Sequence, residues 1–273
     1  KSLYMKHFFI YLFLLTTLFS CSNYQKILKS DDVNFKYNQA VKYYNNTDFN
    51  RALPLFTELR PVFRGTKRAE EIAYYYAYTH YSIGDFLMAS YLFNQYIINY
   101  SRGSHSEESK FMIAYCHYQE APEYSLDATN TIKAISMFQE FIDKYPQSDS
   151  INSCNKLMDE LRINLSNKSF ANAKQYYTTE NYRASIIALD NVLIDYPSIK
   201  NREEIYFIIL ESSYFLAINS IFSKKEARLY KTIESYKQFI DNYPKSIYDN
   251  SVKEIYSNTL KTIEELKLTK NEI

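Results

Sequence analysis

Four stretches of this chain repeat one another: Phe93-Asn-Gln-Tyr-Ile-Ile-Asn-Tyr-Ser101, Phe138-Gln-Glu-Phe-Ile-Asp-Lys-Tyr-Pro146, Leu189-Asp-Asn-Val-Leu-Ile-Asp-Tyr-Pro197 and Tyr236-Lys-Gln-Phe-Ile-Asp-Asn-Tyr-Pro244. Such self-similarity constrains the fold tightly, because a unit that cannot bury its own apolar face must stack on its neighbours. Each stretch spaces its apolar residues for one face of a helix and ends in Tyr-Pro or Tyr-Ser. Proline stops the helix, since it lacks an N–H and disfavours helical geometry in the residue before it. Turn signals lie upstream in Asp48-Phe49-x-x-Ala52, Gly84-Asp85-Phe86-x-x-Ala89 and Asn181-Tyr182-x-x-Ser185, each followed by a small residue one helical turn on. The only glycines are Gly65, Gly84 and Gly103. They are too few and too scattered for a Rossmann fingerprint or a P-loop, or for the many turns of a sandwich or barrel. An all-α chain remains.

The pattern resembles the tetratricopeptide repeat, a helix–turn–helix unit of about 34 residues with small residues at its eighth and twentieth positions. Ala52 at the twentieth position puts Ala40 at the eighth, Tyr43 at the eleventh and Phe56 at the twenty-fourth; Ala89 does the same for Ala77 and Phe93. Ala134 with Phe138 and Pro146, and Ser185 with Ala173, Leu189 and Pro197, fit that frame, and Thr232, Tyr236, Phe239 and Pro244 fit it more loosely. The resemblance implies an α-solenoid of about five units within a repeat domain at 33–268. The units fall roughly at 33–65, 67–101, 105–146, 150–197 and 200–244, with a capping helix at 246–266. Three departures from the period are expected: an insertion at Gln119–Asn130, one unbroken helix over Ser150–Tyr177, and a second insertion, Ile221–Leu229, separating the helices of the fifth unit. Pro54 falls inside a helix and costs one backbone hydrogen bond there.

Residues 1–20 are of another kind. Met5-Lys6-His7 is a short basic start, and Phe8–Phe19 is an apolar run. A permanent membrane span needs about 20 residues, so this shorter run fits a signal peptide. Leu18-Phe19-Ser20-Cys21 resembles the lipobox of bacterial lipoproteins. That resemblance implies cleavage before Cys21, diacylation of its sulfur, and palmitate-type acylation of the new amine. The alternative is an ordinary signal peptide with a chance cysteine. Residues 21–32 would form the lipidated N-terminus and tether. Two or three acyl chains hold a protein stably at a membrane, where one holds it only marginally. The whole chain has 32 basic and 31 acidic residues; removing Lys1 and Lys6 leaves the mature protein near neutral. The lipid rather than charge would therefore attach it, and the balance argues against nucleic acid as a partner.

The lipobox, the tether Ser22–Ser30 and the five units together resemble the BamD family, the lipoproteins of the outer-membrane β-barrel assembly machine. Tyr124–Ala134 running into Phe138–Pro146 carries the resemblance furthest. The family has Asp-Gln-Thr before that helix, whereas this chain has Asp127-Ala128-Thr129. Arg51-Ala-Leu-Pro-Leu-Phe56 and Gly84-Asp85-Phe86 fit the form of Bacteroidetes-type members. The resemblance implies a non-enzymatic protein at the outer membrane, facing the periplasm and carrying no cofactor. Its C-terminal repeats would bind the POTRA domains of the BamA-type barrel component, and its N-terminal repeats would bind unfolded outer-membrane clients.

The residues themselves offer no catalytic constellation. Of His7, His80, His105 and His117, no pair has the i, i+4 spacing of metal ligands. Cys116-His117 has no second ligand or base at a matching spacing. Cys116 and Cys154 form either a disulfide between the third and fourth units or two buried thiols. The 29 tyrosines pose a similar choice between core and recognition. In the repeat frame Tyr37 and Tyr44, with Asn34 and Val41, line the concave face of the first unit, and Glu71, Tyr74, Tyr78 and Tyr81 line that of the second. Ala73, Tyr76, Ala77 and His80 form the packing stripe. An aromatic groove of this kind would hold an aromatic-rich client strand, and a covering helix would instead make it core. Two rival functions are a periplasmic repeat adaptor for cell-wall or envelope complexes and a glycan-binding, transporter-associated lipoprotein. The second is normally longer and rich in Trp, and this chain has none.

Overall fold

The computed structural model describes residues 23–271. A short helical segment at 23–28 is followed, among the described residues, by eleven α-helices and no strand. They are α1 (Val33–Asn45), α2 (Phe49–Val62), α3 (Arg68–Ser82), α4 (Phe86–Asn99), α5 (Ser106–Gln119), α6 (Thr129–Lys144), α7 (Ile151–Thr178), α8 (Tyr182–Asp195), α9 (Arg202–Ile218), α10 (Phe222–Asn242) and α11 (Asp249–Asn271). The protein is all-α, built of successive helix pairs. It divides into two compact units, one running through Pro122 and including Asp127–Leu161, the other taking Glu123–Leu126 and everything from Arg162 onward.

The small residues of the repeat frame sit where helices cross. Ala40, Ala52, Ala77, Ala89, Ala134 and Ser185 have no exposed surface, nor do Phe56, Phe93, Phe138 and Leu189 one turn beyond them. A larger side chain at the crossing would hold the helices apart and unpack the aromatic beside it. Helix ends are equally regular. Tyr100, Tyr145, Tyr196 and Tyr243 close α4, α6, α8 and α10 with φ between −126° and −134°. Each donates its N–H to the carbonyl four residues back. Proline follows three of them and imposes that extended geometry; Tyr100 adopts it before Ser101.

The tight turns inside the pairs share one motif. Thr47, Gly84 and Glu180 take the left-handed conformation at φ 59°, 84° and 59°. Each donates to the carbonyl three residues back, and the next residue donates to the carbonyl five back, as in Asp48 N–H to Tyr43 and Asp85 N–H to His80. This is the Schellman ending. Asp48 and Asp85 then cap the following helices through their side chains.

One expectation needs correction. Ile221–Leu229 does not separate the helices of the fifth unit but forms the first turns of α10. It contains no breaker, Leu229 is fully buried against Ala217 and Ile263, and Arg228 Nη1 donates to Ser220 Oγ in the preceding turn. Residues 23–30, within the stretch expected as the tether, pack on the first helix pair. Ile27 is buried in the core between α1 and α2, the Tyr24 hydroxyl donates to the Arg51 carbonyl at 3.0 Å, and Lys36 Nζ donates to the Leu28 carbonyl at 2.9 Å. The Arg51 guanidinium lies 5.8 Å from the ring centres of both Tyr24 and Tyr43. The uninterrupted helix expected over Ser150–Tyr177 is α7.

Candidate functional site

The first unit gathers aromatic side chains along α1, α3 and α5. Tyr44 on α1 lies 4.6 Å from Tyr75 and 6.0 Å from Tyr78 on α3, measured between ring centres. Tyr78 is 5.6 Å from Tyr81, and Tyr81 is 6.0 Å from Tyr115 on α5. Tyr115 stacks on Phe111 and Tyr118, at 5.7 and 5.6 Å. Tyr44, Tyr78, Tyr81 and Tyr115 are each half-buried and form a continuous path of partly exposed rings. Burial pushes the hydroxyls of Tyr44, Tyr78 and Tyr81 above their ordinary value, Tyr81 to about 12. At neutral pH these three hydroxyls are uncharged.

Carboxylates flank it. Tyr37 is buried and donates to Glu71 Oε2, with the Arg68 guanidinium 4.8 Å over its ring and also bonded to Asn34 Oδ1. Tyr75 donates to the other oxygen of Glu71 at 3.4 Å. A lock lies at the start of α5: Glu70 Oε1 accepts from the Tyr96 hydroxyl at 2.8 Å and from Ser104 N–H at 2.9 Å. That bonding holds its carboxyl below the usual value, the Tyr96 hydroxyl contributing most. Gly103 lets this bond form undisturbed, since a Cβ would stand 2.5 Å from the Tyr96 hydroxyl oxygen and 2.6 Å from Glu70 Oε1 and displace them.

Of the six residues expected in the groove, Tyr44, Tyr78 and Tyr81 lie together on the ring path and Glu71 borders it. Tyr37 and Tyr74 are withdrawn. Tyr74 is 6% exposed, packed among Ala77, Phe93, Tyr96 and Met112, and stacked on His105 at 3.8 Å. Burial, together with the negative charge of Glu108, drives its hydroxyl far above the ordinary value. Its cover comes from the next pair, which the repeat frame of one unit does not contain. Ala73 and Tyr76, placed on the packing stripe, are only half-buried, whereas Ala77 and His80 are buried. The frame also missed Tyr75, Phe111, Tyr115 and Tyr118; the i, i+4 aromatic pair Phe111–Tyr115 was the available signal.

Cys116 and Cys154 are free and buried thiols, pushed up to about 12 and about 11 by burial. They sit in different apolar clusters, Cys116 with Tyr74 and Phe93, Cys154 with Phe138 and Phe141. The disulfide is thus replaced by separate packing. Among the described residues no three His, Cys, Asp or Glu side chains gather as a metal site would require, and no helix is long and apolar enough to cross a membrane. Cys21 lies outside the described residues.

In the second unit α8, α9 and α10 border a cleft of about 760 Å³ lined by Arg183, Asp190, Ser213, Lys224, Lys231 and Glu234 among others. No ion pair holds Arg183, Lys224 or Lys231 among the described residues.

No curated protein matches the sequence. Among solved structures, the TPR2AB-domain:pHSP90-complex of yeast Sti1 is similar, at 10% identity and a TM-score of 0.38, over 83% of this chain and 98% of that one. The family model YfiO, described as outer membrane lipoprotein, matches residues 29–229, from the segment packed on α1 into α10. The chain belongs to the YfiO family of outer membrane lipoproteins.

Proposed function

We propose that this protein is a BamD-type scaffold without catalytic activity, anchored through acylated Cys21 to the periplasmic face of the outer membrane. It binds client barrel segments with its first unit and the POTRA domains of a BamA-type barrel component with its second. The observation that carries the reading is the spacing of the ring path. Tyr44, Tyr78, Tyr81 and Tyr115 follow one another at 6.0, 5.6 and 6.0 Å. Side chains on one face of an extended strand recur every two residues, about 6.7 Å apart. A strand with alternating aromatic residues can therefore seat successive rings against successive tyrosines, at low entropic cost to those tyrosines. The open basic side chains of the cleft between α8 and α10 support a separate protein contact in the second unit.

Peptide titration tests the client site. A Tyr81→Ala, Tyr115→Ala double variant should bind a peptide copying the last strand of an outer-membrane barrel at least tenfold more weakly, about the scale of one hot-spot aromatic. Unchanged affinity in a folded variant would place the client elsewhere. Affinity capture of the membrane-anchored protein tests the partner, with recovery of a POTRA-containing barrel expected and its absence counting against the assignment.

A further inference from the structure

The anchored protein has an end that faces the lipid, and we propose that this end is the pair of tight turns α1–α2 and α3–α4, with Ile83, Leu87 and Met88 entering the membrane interface. The inference rests on the reading of Cys21 as the lipidated residue. The segment 23–28 runs back along the first helix pair. Leu28 is tied to Lys36 near the start of α1, whereas Tyr24 is tied to Arg51 and packs on Tyr43, at the end of α1 and the start of α2. The chain therefore leaves the described residues at the turn end of this pair. Asn23 is two residues from Cys21, a distance of at most about 7 Å along the chain. A lipid on Cys21 would hold that end, not the opposite one, against the bilayer.

The neighbouring turn lies on the same end. Ring contacts lead to it without a gap, from Phe49 to Tyr44, Tyr78, Tyr81 and Phe86. It presents Ile83 at 38% exposure, Leu87 at 75% and Met88 at 42%. The helix that follows, α4, carries no charged residue over its whole length. Asp48 pairs with Arg51 at 3.0 Å, and Asp85 is hydrogen-bonded to His80 Nδ1 at 2.9 Å. Three exposed apolar side chains at the head of an uncharged helix, beside the exit of a lipidated chain, match the lipid interface. They add a second contact to the acyl chains and fix the direction in which the first unit projects.

The test uses the full-length, lipid-bearing protein in vesicles of phosphatidylethanolamine and phosphatidylglycerol, with a quencher on the acyl chains. One sample carries a fluorophore at Leu87→Cys. The reference carries it at Arg64→Cys, in the α2–α3 loop at the other end of the helices; Cys116 and Cys154 are buried and stay unlabelled. Quenching several-fold stronger at position 87 than at 64, and reduced to the reference level by Ile83→Ser with Met88→Ser, is the expected result. Equal quenching at the two positions, in protein that stays with the vesicles at high salt, overturns the membrane-facing turn and leaves a protein partner as the occupant of these side chains. Release at high salt, with unmodified Cys21 in the intact mass, overturns the anchor and this surface together.

Discussion

Tyr74 separates packing from recognition more sharply than any other tyrosine. Its ring is 6% exposed, enclosed by α4 and α5 and stacked on His105. A buried aromatic withdraws about 150–250 Å² from water, and at about 25 cal/mol per Å² the lower bound alone corresponds to about 4 kcal/mol. Tyr74→Ala should therefore cost about 3–5 kcal/mol, in line with other buried aromatic truncations. Tyr74→Phe keeps the ring and removes only the hydroxyl. Its cost should stay below about 1.5 kcal/mol, the upper end for a typical hydrogen bond. Urea titration followed by circular dichroism reads both, on the transition of the unit that holds α3 to α5. Peptide affinity of the Phe variant should stay at the parent value. A Tyr74→Ala protein within about 1 kcal/mol of the parent that had lost peptide binding would refute the burial argument and return Tyr74 to the groove.

Four further outcomes follow from the geometry. Cys116 and Cys154 should resist alkylation in the native protein and react as two free thiols after denaturation, read by intact mass. Thr47→Gly and Glu180→Gly should each stabilise by about 0.5–1 kcal/mol because they relieve a left-handed residue, and Gly84→Ala should destabilise by about 1 kcal/mol at the corresponding turn; thermal melting gives all three signs. Gly103→Ala should cost about 1–3 kcal/mol by forcing Tyr96 and Glu70 apart, measured in urea. Glu70 has a depressed carboxyl pKa in the folded state, so its contribution is complete above its unfolded value near 4.5 and is lost as pH falls through the folded value. The acid limb of the stability profile should accordingly be shallower in Glu70→Gln.

The parts of the fold legible in the sequence are those set by a single helix pair. Ala52 and Ala89 could be placed at crossings because no larger side chain fits there, and Tyr145 and Tyr196 at helix ends because proline follows them. What stayed hidden depends on a neighbour. His105 reaches Tyr74 only because the turn around Gly103 folds the start of α5 against α3. Ile221–Leu229 was separable from α10 in a period count, yet nothing in its composition breaks a helix, and burial of Leu229 joins it to the helix that follows. The segment 23–28 was placed in the tether because it is too short to show periodicity, yet Ile27 is buried and Tyr24 and Leu28 pack beside it. The ring path was half legible: Tyr44, Tyr78 and Tyr81 follow from the concave positions, and Tyr115 required the third helix pair.

Register between successive pairs has its own device, and it recurs. Tyr37 donates to Glu71, and Tyr177 donates to Glu211 at 2.8 Å, in both cases across 34 positions. Each bond joins the first helix of one pair to the first helix of the next, once in each compact unit. Apolar burial is non-directional, so a stack held by it alone could slide by fractions of a turn at little cost. A hydrogen bond to a carboxylate is directional and stronger than a neutral one. It fixes one helix against the next at a single height. In the first unit that height also sets where Tyr44 on α1 meets Tyr78 on α3. The ring spacing proposed for strand recognition is thus tied to the bond between Tyr37 and Glu71, one turn or more away from the rings that would touch the client.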